Sequence, residues 1–175
     1  VTTMSFDTNG KTMMGISPAD FVAFVHSLDP KPVAYGANCG VGASDLVATI
    51  VKLAEAAGPD DIIVAKGNCG IPYYEEGKIK YNGTPALMAD YARIVRDAGA
   101  KIVGGCCGTS PEHLRSMRAA LEEHQPGEKP TLEQIVARLG PLTEGARAQL
   151  AGDAPLVAAR RGRRRDRSAP EEAAF

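Results

Sequence analysis

The stretch Gly104-Gly105-Cys106-Cys107-Gly108-Thr109-Ser110-Pro111-Glu112-His113 sets two adjacent thiols between a short apolar run, Ala100-Lys101-Ile102-Val103, and a helix start at Ser110-Pro111-Glu112. A strand that ends this way holds its last side chains at the carboxyl end, where α/β folds carry their chemistry. Neighbouring residues of a regular strand point to opposite faces, so two adjacent thiols converge only where the backbone leaves strand geometry. Gly104, Gly105 and Gly108 permit that departure. A third thiol, Cys39 in Tyr35-Gly36-Ala37-Asn38-Cys39-Gly40-Val41-Gly42, closes another strand run in front of another helix. Three thiols at equivalent strand ends suggest a catalytic zinc whose fourth position is open.

Zinc held by several thiolates lowers the pKa of a further thiol that joins it, so a substrate sulfur would be bound as thiolate at neutral pH without a protein base. A structural four-cysteine site more often draws its ligands as C-x2-C pairs from two loops. A lone buried cysteine is commonly a small apolar filler. Around Cys106 and Cys107 the glycines offer nothing bulky to pack against, which favours ligation. Cys69 lies in a longer loop, where Gly67, Asn68 and Gly70 could equally shape backbone donors around a small anion, so it stays outside the metal set. His26, His113 and His124 read as surface or capping residues. Two other readings remain open. Cys106 and Cys107 could form a vicinal disulfide or sensor pair in a non-enzymatic zinc or thiol redox module. The Gly-rich turns could also cradle phosphate, which would not need the three cysteines.

These turns need a frame to position them. With 175 residues, 44% apolar content and a formal charge of -1, the chain has material for a sizeable core and no charge bias toward a partner. No apolar run is long enough to span a membrane, and Val1-Thr2-Thr3-Met4-Ser5 does not resemble a signal peptide. Four cysteines in a chain this long do not form a disulfide scaffold. A cytoplasmic location with reduced thiols is expected.

Strands are expected over Val1 to Phe6, Val33 to Ala37, Asp61 to Lys66 and Ala100 to Val103. Helices follow each: one capped at Ser17-Pro18 with Phe21, Val22, Phe24, Val25 and Leu28 inward, and one from about Ala43 to Ala57 built on Leu46, Ile50 and Leu53. A third opens at Thr84-Pro85 and ends near Asp97, with Gly99 as its cap, and a fourth carries Leu114, Met117, Ala120 and Leu121 on one side. The long loop from Gly67 to Thr84 has the length of a functional loop. Alternating strands and helices imply parallel strands with right-handed crossovers.

After residue 125 the apolar pattern thins. Thr131 to Leu139 allows a short helix, but 126–159 is expected to be a weakly structured extension. Residues 160–175, with six arginines between Arg160 and Arg167, read as a disordered, solvated tail. Nucleic acid is not the expected partner, because the run has no aromatic residue and is followed by acids.

Gly36-Ala37-Asn38-Cys39, Asn68-Cys69-Gly70-Ile71-Pro72 and Gly104-Gly105-Cys106-Cys107-Gly108-Thr109-Ser110-Pro111 resemble the homocysteine S-methyltransferase family, over roughly Val1 to His124. The resemblance extends to the homocysteine-binding module of cobalamin-dependent methionine synthase and to bacterial betaine-homocysteine methyltransferases. The resemblance implies a (β/α)8 barrel with zinc held by one cysteine after the sixth strand and two after the eighth: Cys39, Cys106 and Cys107. It implies that homocysteine enters as the fourth ligand, accepts a methyl group and leaves as methionine. It places Asn38 and Asn68 where such enzymes hold the amino acid's backbone groups. The four strands would be strands five to eight, making residues 1–125 the C-terminal half of the barrel. The first half, with the acidic groups that would bind the substrate amine, is then expected upstream of Val1. A half-barrel leaves two unpaired parallel edges, so the isolated chain is expected to pair with itself or with a complementary half and to be inactive alone. The resemblance leaves the donor open between betaine, a methyl-corrinoid protein and other methylated compounds.

Overall fold

The structure is a computed structural model that describes residues 1–152. The proposed tail at 160–175 and the end of the proposed extension, 153–159, lie outside the described residues.

The elements run β1 (Thr2–Met4), α1 (Pro18–His26), β2 (Tyr35–Cys39), α2 (Ala43–Ala56), β3 (Ile63–Gly67), β4 (Pro72–Glu75), β5 (Lys78–Tyr81), α3 (Pro85–Asp97), β6 (Ile102–Gly105), α4 (Pro111–Glu123), α5 (Leu132–Leu139) and α6 (Glu144–Ala151). Strands β1, β2, β3 and β6 form one parallel sheet in that order. The expected parallel α/β architecture is therefore present. A closed barrel is not: β1 pairs only with β2 and β6 only with β3 among the described residues.

Side-chain caps mark the starts of α1, α3 and α4. Ser17 accepts from Asp20 N–H and receives the Asp20 carboxylate in return, a capping box with Pro18 at the first helical position. Thr84 caps α3 through Leu87 N–H at 3.1 Å, and Ser110 and His113 form the same reciprocal pair at α4. Such caps supply partners for backbone donors that a helix start leaves free.

The core lies between the sheet and its helices. Tyr35, Ala37, Ile63 and Ala65 point into it, as does the half-buried Val103, and meet Leu46, Ile50 and Leu53 of α2 and Met88, Tyr91 and Val95 of α3. The alternate residues Gly36, Asn38, Val64, Lys66 and Gly104 therefore occupy the sheet's other face. At Gly36 a Cβ would land on the Val64 carbonyl, so close strand approach demands glycine there.

Three expectations need correction. Phe24 and Leu114, expected inward, are 58% and 48% exposed, because α1 and α4 each bury a narrower stripe, Phe21, Val22 and Val25 in one and Met117 and Ala120 in the other. The loop from Gly67 to Thr84 contains the antiparallel hairpin β4–β5, whose turn at Glu76-Gly77 has both residues at positive φ. The stretch after 125 is not weakly structured as far as Gly152. Its two helices and the linker between them bury Ile135, Leu139, Leu142 and Ala146. Asp45 of α2 anchors them by accepting from Thr143 N–H at 3.0 Å and Thr143 Oγ at 2.7 Å. That anchor is a contact across 98 positions, which local apolar periodicity cannot reveal.

Candidate metal centre

Cys39 ends β2, and in regular strand geometry it would face the helices like Ala37. It does not: its φ is 64°, a left-handed conformation unusual for a residue with a side chain. This turns the thiol toward β6. Cys106 and Cys107 converge on it through the turn Cys106 to Thr109, closed by Thr109 N–H on Cys106 O at 3.3 Å with Gly108 at φ 75°. Of the three glycines around the pair, only Gly108 needs the left-handed region. Gly105 is needed for space, since a Cβ there would collide with Thr109.

Cys39 Sγ lies 3.5 Å from Cys107 Sγ, and Cys106 Sγ lies 3.8 Å from Cys107 Sγ. All three sulfurs fall within 4.8 Å of one another, the one cluster of metal-ligating side chains among the described residues. Zinc–sulfur bonds of about 2.3 Å at tetrahedral angles put ligand sulfurs about 3.8 Å apart, so the thiols present fit zinc without large movement. All four cysteines are free thiols.

Cys39 and Cys107 are electrostatically unequal. Burial, reinforced by the hydrogen bonds it makes with Cys107 and Cys106, pushes the Cys39 thiol up to about 11. Cys107 is held below its ordinary value, chiefly by the hydrogen bond from Cys39, with Cys106 and Tyr81 adding to it against the opposing effect of burial. Of these two, Cys107 is thus the first to become a thiolate.

The other named residues divide. Asn68 is buried, and its amide spans the two cysteine turns: Nδ2 donates to Gly40 O at 2.8 Å and Oδ1 accepts from Cys107 N–H at 3.1 Å. Asn38 is half-buried one position before Cys39, on the sheet face away from the helices. Cys69 is buried outside the cluster, donating its thiol to Gly83 O at 3.3 Å and its N–H to Cys107 O at 2.9 Å. His26 and His124 pair with Asp61 and Asp97, and His113 caps α4.

Two residues have contacts at the site that the sequence does not signal: Tyr91, whose helical spacing marks it only as inward, and Tyr81. The Tyr91 hydroxyl, fully buried, accepts from Gly67 N–H at 2.9 Å and fixes the end of β3 between the two cysteine turns. The Tyr81 ring covers Gly108, where any Cβ would strike it. Neither contact carries a local signal, since both join distant segments.

No helix among the described residues is long and apolar enough to cross a membrane. The homocysteine S-methyltransferase family profile matches residues 1–121, from β1 through most of α4 and across all three clustered cysteines. The chain belongs to the homocysteine S-methyltransferase family.

Proposed function

We propose that this chain carries the zinc and thiol-binding end of a methyltransferase that converts homocysteine to methionine. The observation that carries the reading is the convergence of Cys39, Cys106 and Cys107 within 4.8 Å, inside the segment that matches a methyltransferase family. Zinc, when bound by these thiols, would supply a Lewis acid that keeps an incoming substrate sulfur deprotonated at neutral pH.

The chain's own residues prepare that event. Cys107 provides a sulfur held below its ordinary value, and the left-handed backbone of Cys39 aims a second donor across the end of β3 toward the turn after β6. Asn68 locks both turns to each other, which fixes the spacing of the sulfurs. Asn38 and the Asn68 loop border the approach to the cluster and are the proposed contacts for the amino acid's backbone groups. The substrate thiolate then attacks the methyl carbon of an electrophilic donor, and the S–CH3 bond forms as the bond to the donor's leaving group breaks. The free edges of β1 and β6 are where the remaining strands of the family's barrel would pair to complete the substrate pocket.

The test is methyl transfer to homocysteine by the zinc-loaded protein, with betaine and a methyl-corrinoid protein as separate donors and with strands completing the barrel supplied in a parallel reaction. Methionine formed by the native protein and lost in Cys39→Ser supports the proposal. Stoichiometric zinc with no binding of homocysteine under any condition would leave a non-enzymatic metal module instead.

A further inference from the structure

Lys66 is the one charged side chain contributed by the four parallel strands to the sheet face away from the helices. Thr3, Gly36, Asn38, Val64, Ile102 and Gly104 share that face, as the alternation of β1, β2, β3 and β6 requires. Lys66 is half-buried, and its stem lies along Gly104, where a Cβ would sit 3.5 Å from Lys66 Cγ. The nine ion pairs among the described residues do not include it. A partly desolvated ammonium facing neutral neighbours favours an anion that would complete its coordination.

Its position says which anion. Lys66 is in register with Asn38 and Gly104, and the next row along the sheet is Cys39, Gly67 and Gly105, directly before Cys106. One row is about 3.3 Å along a strand, a step that the four-carbon stem of lysine can cross. We propose that Lys66 is a specificity residue that binds the carboxylate of a ligand whose reacting group is at the three cysteines, a carboxylate brought either by the amino-acid thiol or by a zwitterionic methyl donor. The assignment rests on the proposed thiol site. It adds a charge-based reason for selecting acids over neutral thiols, which the sulfur cluster alone does not give.

The experiment uses the zinc-loaded protein and two thiols of equal length, 4-mercaptobutyrate and 4-mercaptobutanol, with calorimetric binding constants for native protein, Lys66→Met and Lys66→Arg. A charge-assisted bond is expected to favour the acid by about tenfold or more in the native protein, to vanish in Lys66→Met and to return in part in Lys66→Arg. Glycine betaine is titrated in parallel. If the thiols show no acid preference but betaine binding is lost in Lys66→Met and kept in Lys66→Arg, the carboxylate is the donor's. Equal binding of both thiols with betaine indifferent to residue 66 overturns the inference and leaves the thiol site standing. An acid preference that survives in Lys66→Met overturns it too. Zinc-loaded protein that binds neither thiol nor betaine overturns both the thiol site and the role of Lys66.

Discussion

At the amino ends of the sheet, Asp61 is 7% exposed in its side chain and gathers four partners: Lys31 Nζ at 2.6 Å, Tyr35 Oη at 2.7 Å, Gly58 N–H at 2.8 Å and His26 Nε2 at 2.8 Å. At the carboxyl ends, three sulfurs gather around one another in a backbone that puts Cys39 in the left-handed region. Both are polar clusters drawn from distant segments. They differ in what remains to be satisfied. Burial alone would raise the Asp61 carboxyl, but its hydrogen bonds from Lys31, Tyr35, Gly58 and His26 hold it well below the usual carboxylate range, so that site is complete. The sulfur cluster has donors to spare and a strained residue, the pattern of a site built to receive something. Saturation therefore separates a staple from a binding centre, although each looks alike as a list of polar residues.

The contrast breaks most clearly by removing one member of each cluster. Cys107→Ser is expected to weaken zinc binding by on the order of a hundredfold or more, since one of a few thiolates sharing the binding energy is lost, and chelator competition reads it. Its unfolding midpoint without metal should hardly move. Asp61→Ala should do the reverse, losing about 3 kcal/mol in urea unfolding because the buried Tyr35 hydroxyl and the half-buried Gly58 N–H are left without an acceptor, with zinc affinity of the folded protein unchanged. Equal effects of both substitutions on metal and stability would end the distinction.

Asn68→Ala sharpens it, because this amide is a staple that serves the sulfur site. Loss of its bonds to Gly40 and Cys107 should lower zinc affinity about 10- to 100-fold while all three thiols remain titratable. Acidity separates the two ends in a graded way. The folded value of Asp61 lies below its unfolded one, so its stabilisation is complete above about pH 4 and is lost as pH falls from there. The difference in unfolding free energy between native protein and Asp61→Asn should shrink over that window. Apparent zinc affinity should instead rise with pH across the neutral to alkaline range, because Cys39, pushed up to about 11, must release its proton to bind. The smallest effect is expected at the exposed pair of Lys129 with Glu55, 2.7 Å apart, where Lys129→Ala should change stability by less than about 0.5 kcal/mol.

Much of this was legible in the chain itself. Ser17-Pro18, Thr84-Pro85 and Ser110-Pro111 mark helix starts because a cap is a contact across three residues, and the apolar runs before Cys39 and Cys106 mark strands for the same local reason. The identity of the three thiols also follows from residue type and from the glycines beside them. The hairpin β4–β5 is not legible because all its residues but Lys80 and Tyr81 are exposed, leaving almost no buried face to set an alternating pattern. The helices at Leu132–Leu139 and Glu144–Ala151 were underestimated because their anchors, Asp45 with Thr143 and Ser44 with Pro141, join positions almost a hundred residues apart.

Sequence by itself settles which atoms are available: three sulfurs and the two amides of Asn38 and Asn68, at or just beyond the ends of predicted strands. Only the tertiary structure decides which of them meet. The parallel register sets Cys39 in one row with Gly67 and Gly105, the positive φ of Cys39 re-aims its thiol, and Asn68 ties the two cysteine turns together. Side-chain direction and strand pairing are set by packing of the whole sheet against its helices, and no local window of residues contains that information.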